Sequence, residues 1–96
     1  MRAHFVATSS GMILTWDKAK RDANLAKHGL DFASLDAGFF ARAVIGPVRA
    51  PRSFAVGTMP SGEIVTVIWA PLGTEAVAII SMRRSNRKER SFLDGS

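Results

Sequence analysis

Polar and basic side chains recur at helical spacing in the first third of the chain. Residues three, four and seven positions apart share one side of a helix. The members of this set are Lys20, Asn24, Lys27 and His28. An imidazole beside an ammonium group can exchange a proton near neutral pH next to a fixed positive charge. The alternative is an ordinary solvated ridge whose last residue caps a helix.

A second basic group lies near the end of the chain, and its members are Arg83, Arg84, Arg87, Lys88 and Arg90. In all, 13 Lys and Arg oppose 8 Asp and Glu, which gives a net charge of +5. A small domain with this excess favours polyanionic partners such as nucleic acid, an acidic protein or an anionic membrane. A solvated helix face is the bland alternative for such a run.

Several classes of protein are excluded by composition. The chain of 96 residues has no cysteine, which excludes disulfide scaffolds and cysteine nucleophiles. Its two histidines, His4 and His28, lack metal-ligand spacing, so we predict no metal site and no cofactor. No segment reaches the roughly 18 apolar residues of a membrane helix. We therefore expect a cytoplasmic protein with no membrane partner.

The pattern of elements predicts an α+β fold. Residues 1–11 are interpreted as a flexible extension, and 12–96 as one domain with a strand over Met12–Trp16. A helix over Lys18–His28, capped by Asp17 and Gly29, would bury Ala19, Ala23, Ala26 and Leu30. Asp31 would cap a second helix ending near Arg42. Three strands (53–58, 63–70 and 75–82) and a short helix from Arg87 complete an antiparallel meander with two N-terminal helices and one C-terminal helix.

Three stretches, in this order and spacing, resemble the BrnT family of bacterial type II toxins. The first is residues 16–29, read as W-D-x-x-K-x-x-x-N-x-x-K-H-G, and the second is the Phe32 helix that follows. The third is residues 80–90, I-S-M-R-R-S-N-R-K-E-R. The resemblance covers nearly everything after Gly11.

The resemblance implies a RelE-like fold and a ribonuclease that arrests translation. It also implies a BrnA-type antitoxin, bound in a hetero-oligomeric complex, through which operator DNA is recognised. Two departures concern groups that contact RNA. Relatives often carry Arg where this chain has Ala76 and Ala78, and many have Tyr where Phe92 stands. These changes bear on catalytic strength more than on fold.

Metal-independent RNA cleavage needs a proton donor, a proton acceptor and fixed cations beside the phosphate. With the resemblance added, the predicted catalytic residues are Lys27, His28, Arg52 and Arg83. The predicted RNA contacts are Lys20, Asn24, Ser81, Arg84, Arg87 and Lys88. Glu89 has two interpretations, an acid or base and a capping-box residue paired with Asn86.

Two other functions stay open. A non-catalytic module would use the same basic surface to bind nucleic acid or an acidic protein. A DNA-binding helix-turn-helix is less favoured, because the second predicted helix presents Phe32, Leu35, Phe39 and Phe40 rather than polar side chains.

Overall fold

The computed structural model describes residues 3–7, by their backbone, and residues 12–94. The strands are β1 (Ala3–Ala7), β2 (Ile13–Asp17), β3 (Val44–Arg49), β4 (Arg52–Thr58), β5 (Ile64–Leu72) and β6 (Ala76–Arg84). The helices are α1 (Lys18–His28), α2 (Ala37–Arg42) and α3 (Arg87–Asp94), with a single 3-10 turn at Phe32–Ser34.

Within these ranges the strands form one mixed sheet in the order β1-β2-β6-β5-β4-β3. The meander β4-β5-β6 is antiparallel as predicted, but β2 pairs with β6 in parallel, from Ile13 opposite Ala76 to Trp16 opposite Ile79. The prediction of a purely antiparallel sheet is therefore wrong. A parallel neighbour needs a long connection, and here everything from α1 to β5 forms it.

The structure describes part of the segment that the sequence analysis interprets as an extension. Ala3–Ala7 forms β1, which pairs antiparallel with β2 in a register that sets Phe5 opposite Thr15. Phe and Val are residues that strands favour, and β2 offers a free edge. Residues 1, 2 and 8–11 of the predicted extension lie outside the described residues.

Helix α1 begins and ends where its caps predict. The Asp17 side chain accepts from the Ala19 backbone N–H at 2.9 Å. Gly29 has φ of 70°, which suits the left-handed residue after a helix, and its N–H donates to the Leu25 carbonyl. The predicted buried alanines, however, are exposed, and the buried residue of α1 is Asn24. The helix therefore contacts the sheet through a polar residue rather than an apolar stripe.

The second predicted helix is divided in two. Asp31 caps only the 3-10 turn, accepting from the Ala33 N–H at 3.0 Å. Leu35 is extended and buried, and Asp36 then caps α2 by accepting from the Phe39 N–H at 2.9 Å. The break lets both sections turn apolar side chains onto the sheet. These are Phe32, Leu35, Phe39 and Phe40.

The sheet has two faces with different coverings. The core face holds Leu14, Trp16, Val67, Ile79 and Met82 beneath the 3-10 turn and α2. Trp16 packs edge-on against Phe32, and Trp69 packs edge-on against Phe40. The opposite face is covered at one end by α3, whose Phe92 stacks on Phe54 with ring centroids 5.8 Å apart.

Candidate active site

Five of the predicted residues line one cleft between α1 and the edge of β6. This α1 cleft has a volume of about 250 Å³, and its lining residues are Lys20, Ala23, Asn24, Lys27, His28, Ile80 and Ser81. Lys20 and Lys27 are exposed, and His28 is half-buried. The helix periodicity thus correctly predicted that Lys20, Lys27 and His28 share a side, and that side lines the same cleft as Ser81.

Asn24 has a structural position in this cleft. Its side-chain NH2 donates to the backbone carbonyls of Met82, at 2.8 Å, and of Leu30, at 3.1 Å. Its Oδ1 accepts from the Met82 N–H at 3.0 Å. Both amide donors are used and the residue is buried, so the structure places Asn24 as the attachment of α1 to β6. It does not leave the amide free for the predicted RNA contact.

Arg84 is likewise occupied by contacts within the protein. Its Nη1 donates to the His28 backbone carbonyl at 2.8 Å, and its Nε donates to Glu63 at 2.5 Å. A guanidinium at the C-terminal carbonyls of a helix is electrostatically favourable. Arg84 thus fixes the end of α1, and with it His28, against the end of β6, instead of standing free for RNA as predicted.

Arg83 lies in a second cleft, formed by α3 and the sheet. This α3 cleft has a volume of about 320 Å³, and its lining residues are Val48, Phe54, Thr66, Ile68, Arg83, Asn86, Lys88, Glu89 and Phe92. Arg83 Nη1 and Nη2 each donate to one oxygen of Glu89 at 2.7 Å. The Arg83 side chain as a whole remains 40% exposed.

Glu89 is both a helix cap and a partner of Arg83. Its Oε1 accepts from the Asn86 N–H at 2.9 Å, and its own N–H donates to Asn86 Oδ1 at 2.8 Å. The predicted capping box is therefore confirmed. The two hydrogen bonds from Arg83 lower the pKa of Glu89 from 4.5 to about 2, against the opposing effect of partial burial. A carboxylate with so low a pKa is a weak base, so the acid-or-base interpretation is not supported.

The two clefts are neighbours across β6. Ser81 lines the α1 cleft and Arg83 lines the α3 cleft. Residues two apart on a strand point to the same face and lie roughly 7 Å apart along it. Of the predicted catalytic residues, Lys27 and His28 therefore line one basic cleft and Arg83 lines the adjoining one.

The remaining predicted cations differ in position. Lys88 lines the α3 cleft, whereas Arg87 is exposed on the first turn of α3. Arg52 lines neither cleft, but it lies two residues before Phe54 on β4 and so points to the same face of the sheet. Arg90, by contrast, donates to the Ser85 carbonyl at 2.8 Å.

Sequence reasoning did not identify the apolar part of the α3 cleft. Phe54, Thr66 and Ile68 alternate along two strands, and the register sets Phe54 opposite Ile68 and Thr66 opposite Arg83. Alternation alone gives two possible faces for each strand. Only the register with β6 shows that these residues share the face of Arg83.

No helix in the described ranges is long and apolar enough to cross a membrane. In the same part of the chain, no three His, Asp or Glu side chains lie close enough together to hold a metal ion.

Comparison with known proteins decides the family. Residues 16–89 match the family described as the ribonuclease toxin, BrnT, of type II toxin-antitoxin systems. The chain belongs to the BrnT family. The solved structures similar to this BrnT-family chain include the 1.1 Å crystal structure of the Brucella abortus ribonuclease toxin BrnT. That structure is 46% identical, superimposes with a TM-score of 0.72, and covers 75% of this chain and 94% of its own. No curated protein matches the chain.

Membership gives the chain its activity class. It is a ribonuclease toxin of a type II toxin-antitoxin system, and an antitoxin partner follows from that class. The α+β architecture and the mixed sheet fit the match to the Brucella BrnT structure.

Proposed function

We propose that this toxin cleaves single-stranded RNA across the middle of β6 without a metal ion. The observation that supports this is the adjacency of the two basic clefts, joined by Ser81 and Arg83 on one face of the sheet. An RNA backbone laid across that face meets Lys27 and His28 first and Arg83 next.

The reaction follows from the chemistry of RNA. The 2′-oxygen attacks the adjacent phosphorus and loses its proton to solvent, while the bond from phosphorus to the 5′-oxygen breaks. His28 gives a proton to that departing oxygen, and Lys27 offsets charge on the phosphoryl oxygens. The products are a 2′,3′-cyclic phosphate and a 5′-hydroxyl end.

Arg83 takes the neighbouring phosphate in this arrangement. Its guanidinium is already oriented by Glu89, so little side-chain freedom is lost when an anion binds it. Ser81 lies between the two clefts as a hydrogen-bond donor. Lys20, Arg52, Arg87 and Lys88 extend the positive surface along which the RNA backbone lies.

The partner and setting complete the proposal. The cognate antitoxin is of the BrnA type and covers this same basic face, so that the complex recognises operator DNA only through the antitoxin. The order of α1 and α2 before the antiparallel strands β3–β6, with α3 after them, supports a RelE-like arrangement. RNA in translation is the target, so the toxin acts in the cytoplasm.

The decisive experiment is cleavage of RNA by the purified chain, freed of antitoxin, in buffer containing EDTA. We expect fragments that end in a cyclic phosphate and begin with a 5′-hydroxyl. RNA that is bound with steep salt dependence but stays intact would instead support the non-catalytic module. Cleavage that disappears with EDTA and returns with Mg²⁺ would overturn the metal-independent reaction.

A further inference from the structure

We propose that the α3 cleft is a nucleobase subsite, in which one base of the RNA lies against Phe92 and Phe54 while a phosphate of the same strand lies on Arg83 or Lys88. This inference rests on the proposed function for its ligand, single-stranded RNA. It adds a base-binding site beside the phosphate-binding surface.

The lining of the cleft is divided between aromatic and charged groups. Phe54 and Phe92 are half-buried and stack with an interplanar angle of 27°. Val48, which is 54% exposed, and Ile68 complete the apolar part. Stacking on aromatic side chains is how proteins bind unpaired bases, because every base has a π-face.

The charges at the rim match a nucleotide rather than a neutral apolar ligand. Lys88 is exposed, and Arg83 is partly exposed beside it. Arg83 donates a hydrogen bond to each oxygen of Glu89, the carboxylate in the cleft, so the charge that would repel a phosphate is offset. A base in the apolar part thus has cations for its phosphate at the rim.

Asn86 also lines this cleft. Asn86 Oδ1 accepts from the Glu89 N–H, which fixes the orientation of the amide. The Asn86 NH2 has no partner among the described residues. It can donate to an acceptor on the edge of a bound base, so the subsite discriminates bases that carry an acceptor there.

The test is a double-mutant cycle between protein and RNA. The RNA is a short single strand with 2′-deoxyribose at the cleaved position, so that binding is measured without reaction. A second RNA is identical except for one abasic nucleotide, moved along the strand in turn. We expect the wild-type chain to bind the complete RNA about tenfold more tightly than the abasic one at a single position.

Phe92→Leu should remove that preference. Leucine keeps an apolar side chain against Phe54 but has no π-face, so both RNAs should bind as the abasic one does to wild type. Lys88→Ala is the matched control, since loss of a phosphate contact weakens both RNAs equally. Circular dichroism and the thermal midpoint establish that each variant is folded. If Phe92→Leu does not fold, Phe54→Leu provides the same comparison.

Three results would overturn the subsite. The first is equal binding of complete and abasic RNA by wild type. The second is a preference that Phe92→Leu leaves intact. The third is a variant that discriminates normally but no longer binds the antitoxin, which would make the cleft a protein-binding surface. Because binding is measured on uncleavable RNA, absence of cleavage in the EDTA assay contradicts the nuclease proposal without deciding this one.

Discussion

The Asn24 side chain hydrogen-bonds both backbone groups of Met82, as the backbone of a neighbouring strand would. Strand β6 has β2 beside it only as far as Ile79. Beyond that point its edge would be bare, and buried backbone groups without partners are costly. A single carboxamide from α1 satisfies this edge and sets the position of the helix that carries Lys27 and His28.

Replacing Asn24 with alanine should therefore destabilise the fold. The Met82 N–H and C=O and the Leu30 C=O would lose their partner in a buried place, at a cost of about 3 kcal/mol in the free energy of unfolding. Urea denaturation measures this cost. Lys27→Ala, three residues away and exposed, is the control and should change the free energy by less than about 0.5 kcal/mol. Equal stability of the two variants would contradict the role given to Asn24.

The pairing of Glu89 with Arg83 predicts a pH-dependent stability. The pKa of Glu89 falls from 4.5 to about 2 on folding. A lowered carboxyl pKa adds stability that is complete above the unfolded value and is lost as the pH falls through the folded one. Glu89→Gln should thus lower the free energy of unfolding at pH 7 by about 2 kcal/mol.

The difference between wild type and Glu89→Gln should stay constant above pH 4.5 and vanish as the pH approaches about 2. Asp31, whose pKa Arg21 lowers by hydrogen bonding, titrates in both chains and cancels in the comparison. Urea unfolding curves across this pH range provide the measurement. A difference that persists unchanged at the acidic end would show that lost packing, not charge, explains the variant.

His28→Ala should slow RNA cleavage with little effect on stability. A general acid contributes on the order of a hundredfold or more to the rate. The His28 carbonyl, which holds Arg84, belongs to the backbone and survives the change. Lys18→Ala is a suitable control on the same helix, because Lys18 is exposed and pairs only with Asp22 within the described residues. Equal cleavage rates in the two variants would move the proton donor elsewhere.

Gly46→Ala should displace the Phe54 ring and so disturb its stacking with Phe92. A Cβ at this position would lie 2.5 Å from Cζ of Phe54, and so the ring would have to move. Such overpacking costs about 1–3 kcal/mol and shifts side chains from their preferred rotamers. Thermal unfolding measures the loss. Gly62→Ala, at a turn where a Cβ meets nothing within 4 Å, controls for backbone effects but carries its own strain at φ of 93°.

Local signals in the sequence predicted the helix ends well. Asp17 and Gly29 bound α1 as expected, and the reciprocal bonds of Asn86 and Glu89 open α3. Each of these helix caps is a hydrogen bond between residues at most four positions apart. The buried side of α1 was predicted wrongly, because Ala19, Ala23 and Ala26 give a weak apolar pattern that a buried Asn24 overrides.

Local sequence patterns do not predict pairing between distant strands or the face on which a strand's side chains lie. The turn residues between β4, β5 and β6 correctly predicted that these three strands pair in succession. The parallel pairing of Ile13 with Ala76 joins segments far apart in the sequence, so no local pattern predicts it. Spacing also grouped Lys20, Lys27 and His28 in one cleft. Spacing alone could not predict that Arg83 lines a different cleft. The face on which a β6 side chain lies depends on strand register rather than on composition.

The parallel pairing of β2 with β6 has a consequence for biosynthesis. Strand β2 lacks its parallel neighbour, and Asn24 of α1 lacks the Met82 backbone that it binds, until β6 emerges from the ribosome. Strand β6 also carries Arg83. Before β6 is synthesised, the chain therefore has neither the complete sheet nor the guanidinium that the proposed nuclease needs. The surface proposed to cleave RNA can therefore form only after β6 has been synthesised.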